Sequence, residues 1–112
     1  MTYTQQFEAY LKAYEEKDLA TVSAMFAEDI HLRDWKISVH GKDIAVSETK
    51  KNFESAQTIE IDILKKYASN DAVCGELRIV VDQTEVLYVI DVVTFNDDGL
   101  IESIRAYIGR ED

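Results

Sequence analysis

Residues 84–109, TEVLYVIDVVTFNDDGLIESIRAYIG, decide the fold. Leu87, Val89, Asp91, Val93 and Phe95 alternate with Val86, Tyr88, Ile90 and Val92, which is the period of an extended strand over residues 85–95. Asn96, Asp97, Asp98 and Gly99 supply turn chemistry, and LIESIRAYI follows as a second strand lying antiparallel to the first. Working backwards, residues 72–81 form another apolar run, joined to residue 85 by a hairpin corner at Val81, Asp82, Gln83 and Thr84. Before it, Ile59, Ile61 and Ile63 alternate with Glu60 and Asp62. The back half of the chain therefore reads as a four-stranded sheet.

The front half changes period. Tyr3, Phe7, Tyr10, Leu11 and Tyr14 form one stripe of an amphipathic helix over residues 3–17. Asp18 stands at a cap position ahead of Leu19, Val22, Met25 and Phe26, which again recur at helical spacing. In IHLRDW, Ile30 and Leu32 alternate with His31 and Arg33, a short strand whose core face extended by two reaches Asp34. Residues 41–55 carry Ile44, Ala45, Glu48 and Phe53 with no breaker after Gly41, and predict a third helix. The sum is an α+β fold with three N-terminal helices packed on a strongly curved, mainly antiparallel sheet. Such a sheet bends into a cone, whose concave apolar interior is where a small-molecule site belongs.

Composition bounds the function. The chain has 112 residues and a formal charge of −10, with 46% hydrophobic and 10% aromatic residues, so it has apolar surface enough for one folded unit over residues 1–112. The acidic balance repels phosphate backbones and anionic lipid, which argues against nucleic-acid and membrane partners. No apolar run is long enough to span a bilayer, and the N-terminus does not read as a secretion signal. Cys74 stands alone, no disulfide or zinc spacing is present, and a cytoplasmic home is expected.

Asp91 is the residue that asks for an explanation. It shares a strand face with Leu87, Val89, Val93 and Phe95 and has no basic residue on that face, so the carboxyl must be protonated, paired or hydrogen-bonded. Two readings stand: a structural carboxyl bonded to nearby backbone, or a functional acid kept neutral near pH 7. Asp34 repeats the logic, as a strand-end turn residue or a second functional carboxylate. Tyr10, in mid-stripe, is either aromatic core or a phenol with a task. His31 has the opposite strand parity to Asp34 and is assigned to the surface or an interface, and His40 to a loop. Cys74 is read as a small apolar filler, Arg105 as an outer-face residue, and the pairs Lys50–Lys51 and Lys65–Lys66 as solvated.

Four segments carry a resemblance: YLKAYEEKDLATVSAMFAEDI at 10–30, LRDW at 32–35, GKDIAV at 41–46, and VIDVVTFNDDGLIESIRAYIG at 89–109 with its D-x-x-x-F-x-x-x-G-x-I pattern. In these the chain resembles the nuclear transport factor 2-like (NTF2-like) superfamily, in its SnoaL-like or ketosteroid isomerase-like branch, as a single domain. Ketosteroid isomerases use a tyrosine on the first helix, an aspartate base at the end of the first strand and a protonated aspartate on a late strand, and the resemblance places these roles on Tyr10, Asp34 and Asp91. Trp35 departs from the proline that many relatives carry, and the stretch from Asp34 to Gly41 is short. Both features narrow the expected pocket and leave room for a carbonyl compound or terpenoid smaller than a steroid.

The expectation is a cofactor- and metal-independent enzyme that moves a proton beside a carbonyl of a small apolar substrate. Asp34 acts as base, and Tyr10 with neutral Asp91 as donors to the enolate oxygen. Trp35, Phe26, Phe53, Val89, Ile104 and Ile108 are expected to supply the apolar lining. The alternatives are a non-catalytic ligand-binding or dimerisation module, and a hydrolase or dehydratase that turns the same carboxylates on water. A homodimer is expected through the outer sheet face at Tyr88, Ile90, Val92, Arg105 and Tyr107.

Overall fold

The structure, a computed structural model, describes residues 1–110. Helix α1 spans Tyr3–Glu15 and starts with a reciprocal cap: the Thr2 hydroxyl accepts from the Gln5 backbone N–H at 3.1 Å, and the Gln5 side chain accepts from the Thr2 N–H at 2.9 Å. Its apolar stripe buries Phe7, Tyr10 and Leu11. Lys17 leaves the helix in the left-handed region at φ 56°, and its ammonium reaches the carbonyls of Ala56 and Gln57. Asp18 caps α2, Leu19–Met25, by accepting from the Thr21 N–H and hydroxyl at 3.2 and 2.6 Å. These two bonds favour the charged carboxylate and lower the Asp18 pKa.

Strand β1 covers Phe26–Arg33 and follows α2 without a linker, so Phe26 belongs to the strand rather than to the helix that its spacing predicted. A three-residue strand β2, Ser38–His40, pairs with it and makes His40 a strand residue. Helix α3, Lys42–Ser55, begins at Gly41, whose φ of 98° is cheap only for glycine. Strands β3 (Ile59–Ala68), β4 (Ala72–Val81), β5 (Glu85–Phe95) and β6 (Ile101–Ile108) complete the order. Asp82 and Gln83, at φ 55° and 62°, form the β4–β5 hairpin turn. Asp82 Oδ1 also accepts from the Gln57 and Thr58 N–H groups at 2.6 and 3.1 Å, which ties that turn to the end of α3.

The six strands run β2-β1-β6-β5-β4-β3, with β1 parallel to β6 and all other neighbours antiparallel. Both ends of this order lend side chains to one cavity, Leu32 and Ile37 from the β1 side and Ile59 and Ile61 from β3, so the sheet curls without closing. The helices fill the concave side, where Phe7, Phe26, Ile30, Val73, Leu77, Val93 and Ile101 form the solvent-free core. Gly75 on β4 makes one close approach feasible: a Cβ there would lie 2.5 Å from Phe7 Cζ.

Candidate functional site

A cavity of about 250 Å³ lies between α1, α3, the end of β1 and the concave face of β3–β6. Its wall is largely aliphatic, with Ile59, Ile61, Ile79, Leu87 and Val89 from the sheet and Trp35 at the rim. Tyr10, Asp34 and Asp91 all reach it. They come from three elements that are far apart in sequence, and the sheet curvature brings them to one space.

Asp91 sits on β5 between Gly75 of β4 and Ala106 of β6. Neither neighbour covers its carboxyl with a side chain of any length, and Gly75 is overlaid by Phe7. The residue is 8% exposed, and among the described residues its carboxyl makes no hydrogen bond or ion pair within the protein. No polar side-chain atom of the described residues is both sealed off and unpartnered, so the Asp91 oxygens open into the cavity. Burial first, and then the charge of Asp34, push its pKa up to about 7. Near neutral pH the acid and its carboxylate are therefore both well populated.

Tyr10 is 4% exposed, held edge-on to Tyr14 with ring centroids 6.0 Å apart and tilted against Phe26 at 6.4 Å. Its hydroxyl, like the Asp91 carboxyl, has no hydrogen-bond partner within the described residues and opens into the same space. Burial, with Tyr14 and Asp91 adding to it, raises its pKa far above the ordinary value, so it remains a neutral O–H donor at any working pH.

Asp34 lies one residue beyond β1 and organises the turn that follows. Its Oδ1 accepts from the Lys36 and Ile37 N–H groups at 2.7 and 2.9 Å, and its own N–H donates to the Ile37 carbonyl at 3.0 Å. One carboxylate oxygen is thus occupied by backbone, which fixes the side chain, and Oδ2 is left without a protein partner among the described residues. Trp35, on the same turn, is 41% exposed and forms part of the cavity rim.

The proposed lining divides. Trp35, Val89 and Ile104 are on the cavity wall, whereas Phe26, Phe53 and Ile108 are not. Phe26 and Phe53 are packed into the core at 1% and 7% exposure, and Phe53 meets Tyr14 edge-on at 4.8 Å, behind the ring that faces the cavity. Ile108 lies at the end of β6 and is 46% exposed. Sequence reasoning passed over Tyr14 and Asn52, which also line the cavity. Tyr14 sits four residues after Tyr10 on the same stripe and was detectable on that ground. Asn52, on an exposed helix face, gave no signal. On the outer face, His31 and His40 stack at 4.1 Å and His31 Nε2 lies 2.9 Å from Ser38 Oγ. Burial and the nearby positive charges of His40, Arg33 and Arg105 lower the His31 pKa. Among the described residues no group of three or more His, Cys, Asp or Glu side chains is placed to hold a metal ion, and no helix is long and apolar enough to cross a membrane.

Solved structures share this architecture. A SnoaL-like protein of unknown function from Burkholderia thailandensis superposes with a TM-score of 0.85 at 16% identity, over 98% of this chain and 99% of that one. An LEH-like epoxide hydrolase of M. tuberculosis gives 0.81 at 21% identity, over 96% and 82%. A ketosteroid isomerase-like protein of Kribbella flavida gives 0.79 at 12%, over 92% and 74%. Identities this low establish a common fold and leave chemistry to the site. A search of curated proteins returns no match. The SnoaL-like domain family matches residues 7–104, from the phenylalanine that overlies Gly75 to the isoleucine on the cavity wall, and the chain accordingly belongs to this family of the NTF2-like fold.

Proposed function

We propose that the protein is a ketosteroid isomerase-like enzyme that transfers a proton beside the carbonyl group of a small, largely apolar substrate held in the cavity. The observation that supports this most is the pair of unpartnered donors: the Tyr10 hydroxyl and the Asp91 carboxyl open into one largely aliphatic cavity, with no protein acceptor for either among the described residues. In such surroundings two neutral O–H groups donate strongly to an oxygen on which negative charge develops. The substrate carbonyl oxygen takes that place. Asp34 Oδ2 removes the proton from the adjacent carbon and returns it to a second carbon, while its Oδ1 stays anchored to the turn. The protonated fraction of Asp91 is the active one as donor.

Proton exchange provides the test. Deuterium incorporation next to the carbonyl of cyclohex-2-enone, followed by NMR with the intact protein, is expected for the wild type. It should be lost in Asp34→Asn, whose amide oxygen can still accept the two turn N–H groups. Equal exchange in wild type and variant would remove Asp34 as the base. Absence of exchange with any small enone would favour the binding-module reading, in which the same donors hold a ligand without turning it over.

A second reading has its own support. One structural neighbour is an epoxide hydrolase, and the same cavity carboxylates facing an apolar wall suit addition of water to a strained ether as well. Hydrolysis of a small cyclic epoxide with no enone exchange would select it. We further propose that the outer sheet face forms a homodimer, on the apolar and aromatic strip of Tyr88, Ile90, Val92 and Tyr107 beside Arg105, and that the protein, with one half-buried cysteine, works in the cytoplasm.

A further inference from the structure

Tyr14 and Asn52 line the cavity and take no part in the chemistry above. Asn52 Nδ2 donates to the Tyr14 hydroxyl oxygen at 3.1 Å. That bond uses Tyr14 as an acceptor, so its O–H proton has no protein acceptor among the described residues, and Asn52 Oδ1 has no protein donor. The pair therefore presents one free donor and one free acceptor side by side. A ligand hydroxyl satisfies both, since it accepts from Tyr14 and donates to Asn52. A ketone or ether oxygen uses only the first, and an ammonium only the second.

The pair is also held in place. The Tyr14 ring is set edge-on against Phe53 at 4.8 Å and against Tyr10 at 6.0 Å, so its hydroxyl direction is fixed by packing before any ligand arrives. Tyr14 stands one helical turn from Tyr10, a rise of about 6 Å for four residues. Oxygens on opposite positions of a six-membered ring span a similar gap. The cavity of about 250 Å³ has the room of roughly eight waters at the liquid volume, which sets the occupant at on the order of ten non-hydrogen atoms.

We propose that Tyr14 and Asn52 form a second polar subsite that selects small monocyclic hydroxy-carbonyl compounds by their hydroxyl group. This rests on the reading of Tyr10 and Asp91 as the grip on the carbonyl oxygen. The substrate lies with its carbonyl at Tyr10 and Asp91, its ring against the aliphatic wall, and its hydroxyl toward Tyr14 and Asn52.

The test uses two phenols that differ by one hydroxyl group, 4-methylphenol and 4-(hydroxymethyl)phenol, titrated into the intact protein while the indole N–H of Trp35, the single tryptophan, is followed by NMR. The phenol oxygen mimics the enolate, and only the second compound carries the distal hydroxyl. The wild type is expected to bind 4-(hydroxymethyl)phenol about fivefold more tightly, the worth of a typical hydrogen-bond contribution. Tyr14→Phe, which keeps the ring contacts, and Asn52→Leu, at an exposed position, should each bring the ratio to about one with 4-methylphenol affinity unchanged. A ratio near one in the wild type, or a preference kept in both variants, overturns the subsite. Tyr10→Phe separates the two claims: equal weakening of both phenols supports the carbonyl grip, and no weakening overturns that grip even where the Tyr14-dependent ratio persists. Failure of both phenols to bind overturns both.

Discussion

Asp34 helps to hold a proton on Asp91 in the cavity they share: burial does most to raise the Asp91 carboxyl and the Asp34 charge adds to it, to a pKa of about 7. Neutralising Asp34 removes the smaller of these two causes. Asp34→Asn should therefore lower the Asp91 pKa while leaving it above the ordinary carboxylate range, because the larger cause remains. Carboxyl-carbon NMR titration of both proteins checks this, and an unchanged Asp91 midpoint would show the pair to be uncoupled.

The same proton links pH to stability. The folded state binds it up to about pH 7, whereas the unfolded chain releases it near the ordinary carboxyl value of 3.8, so folding is increasingly penalised as pH rises between these values. Above pH 7 the penalty is complete and on the order of 4 kcal/mol. Asp91→Asn removes it. The variant should be more stable than the wild type at pH 8, with the difference shrinking toward pH 4, as read from urea midpoints across that range. A constant difference would assign the effect to something other than this carboxyl.

Gly75→Ala should destabilise the fold by about 1–3 kcal/mol, the usual cost of overpacking. The added methyl would lie 2.5 Å from Phe7 Cζ, and Phe7 is 0% exposed with no free side to move to. Phe7→Leu in the same background should recover part of the loss by opening space at that contact. Denaturant unfolding of the single and double variants reads both outcomes.

Ile90→Lys should convert the proposed dimer to monomer at micromolar concentration without unfolding it. Ile90 lies on the outer face opposite Glu76 of β4 and Tyr107 of β6, so the new ammonium has an acidic neighbour in the isolated subunit but is buried in an apolar interface in the dimer. Sedimentation velocity of both proteins is decisive: a wild-type monomer refutes the interface, as does a variant that stays dimeric.

Much of the candidate site was legible because its polar groups stand as exceptions to a period. Asp91 stood out from the alternation of residues 85–95, and Tyr10 from an apolar helical stripe. Periodicity assigns a face, however, and does not say whether that face meets core or cavity. Phe26 and Phe53 share the inward side with Val89 and Ile104, and only the packing of α1 and α3 makes the first two solid core and the others wall. The bond between Tyr14 and Asn52 spans 38 positions and depends on how two helices approach, which no local pattern encodes. Strand β2, at three residues, is too short to show a period, and it exists because His40 and Ser38 pair with His31 and Arg33.

The parallel pairing of β1 with β6 puts the last strand of the described residues in the interior of the sheet, between β1 and β5. During synthesis the β3–β5 meander can assemble from neighbours as it emerges, but β1 and β2 have no sheet to join until residues 101–108 leave the ribosome. A nascent chain stopped short of Ile101 holds Tyr10, Asp34 and Asp91 and yet lacks the complete cavity, because the strand that joins its two walls is missing. The pocket is thus withheld until residues 101–108 have been made, and the unpaired edges of β1 and β5 make the nascent chain before that point the stage most exposed to misassembly and to chaperone capture.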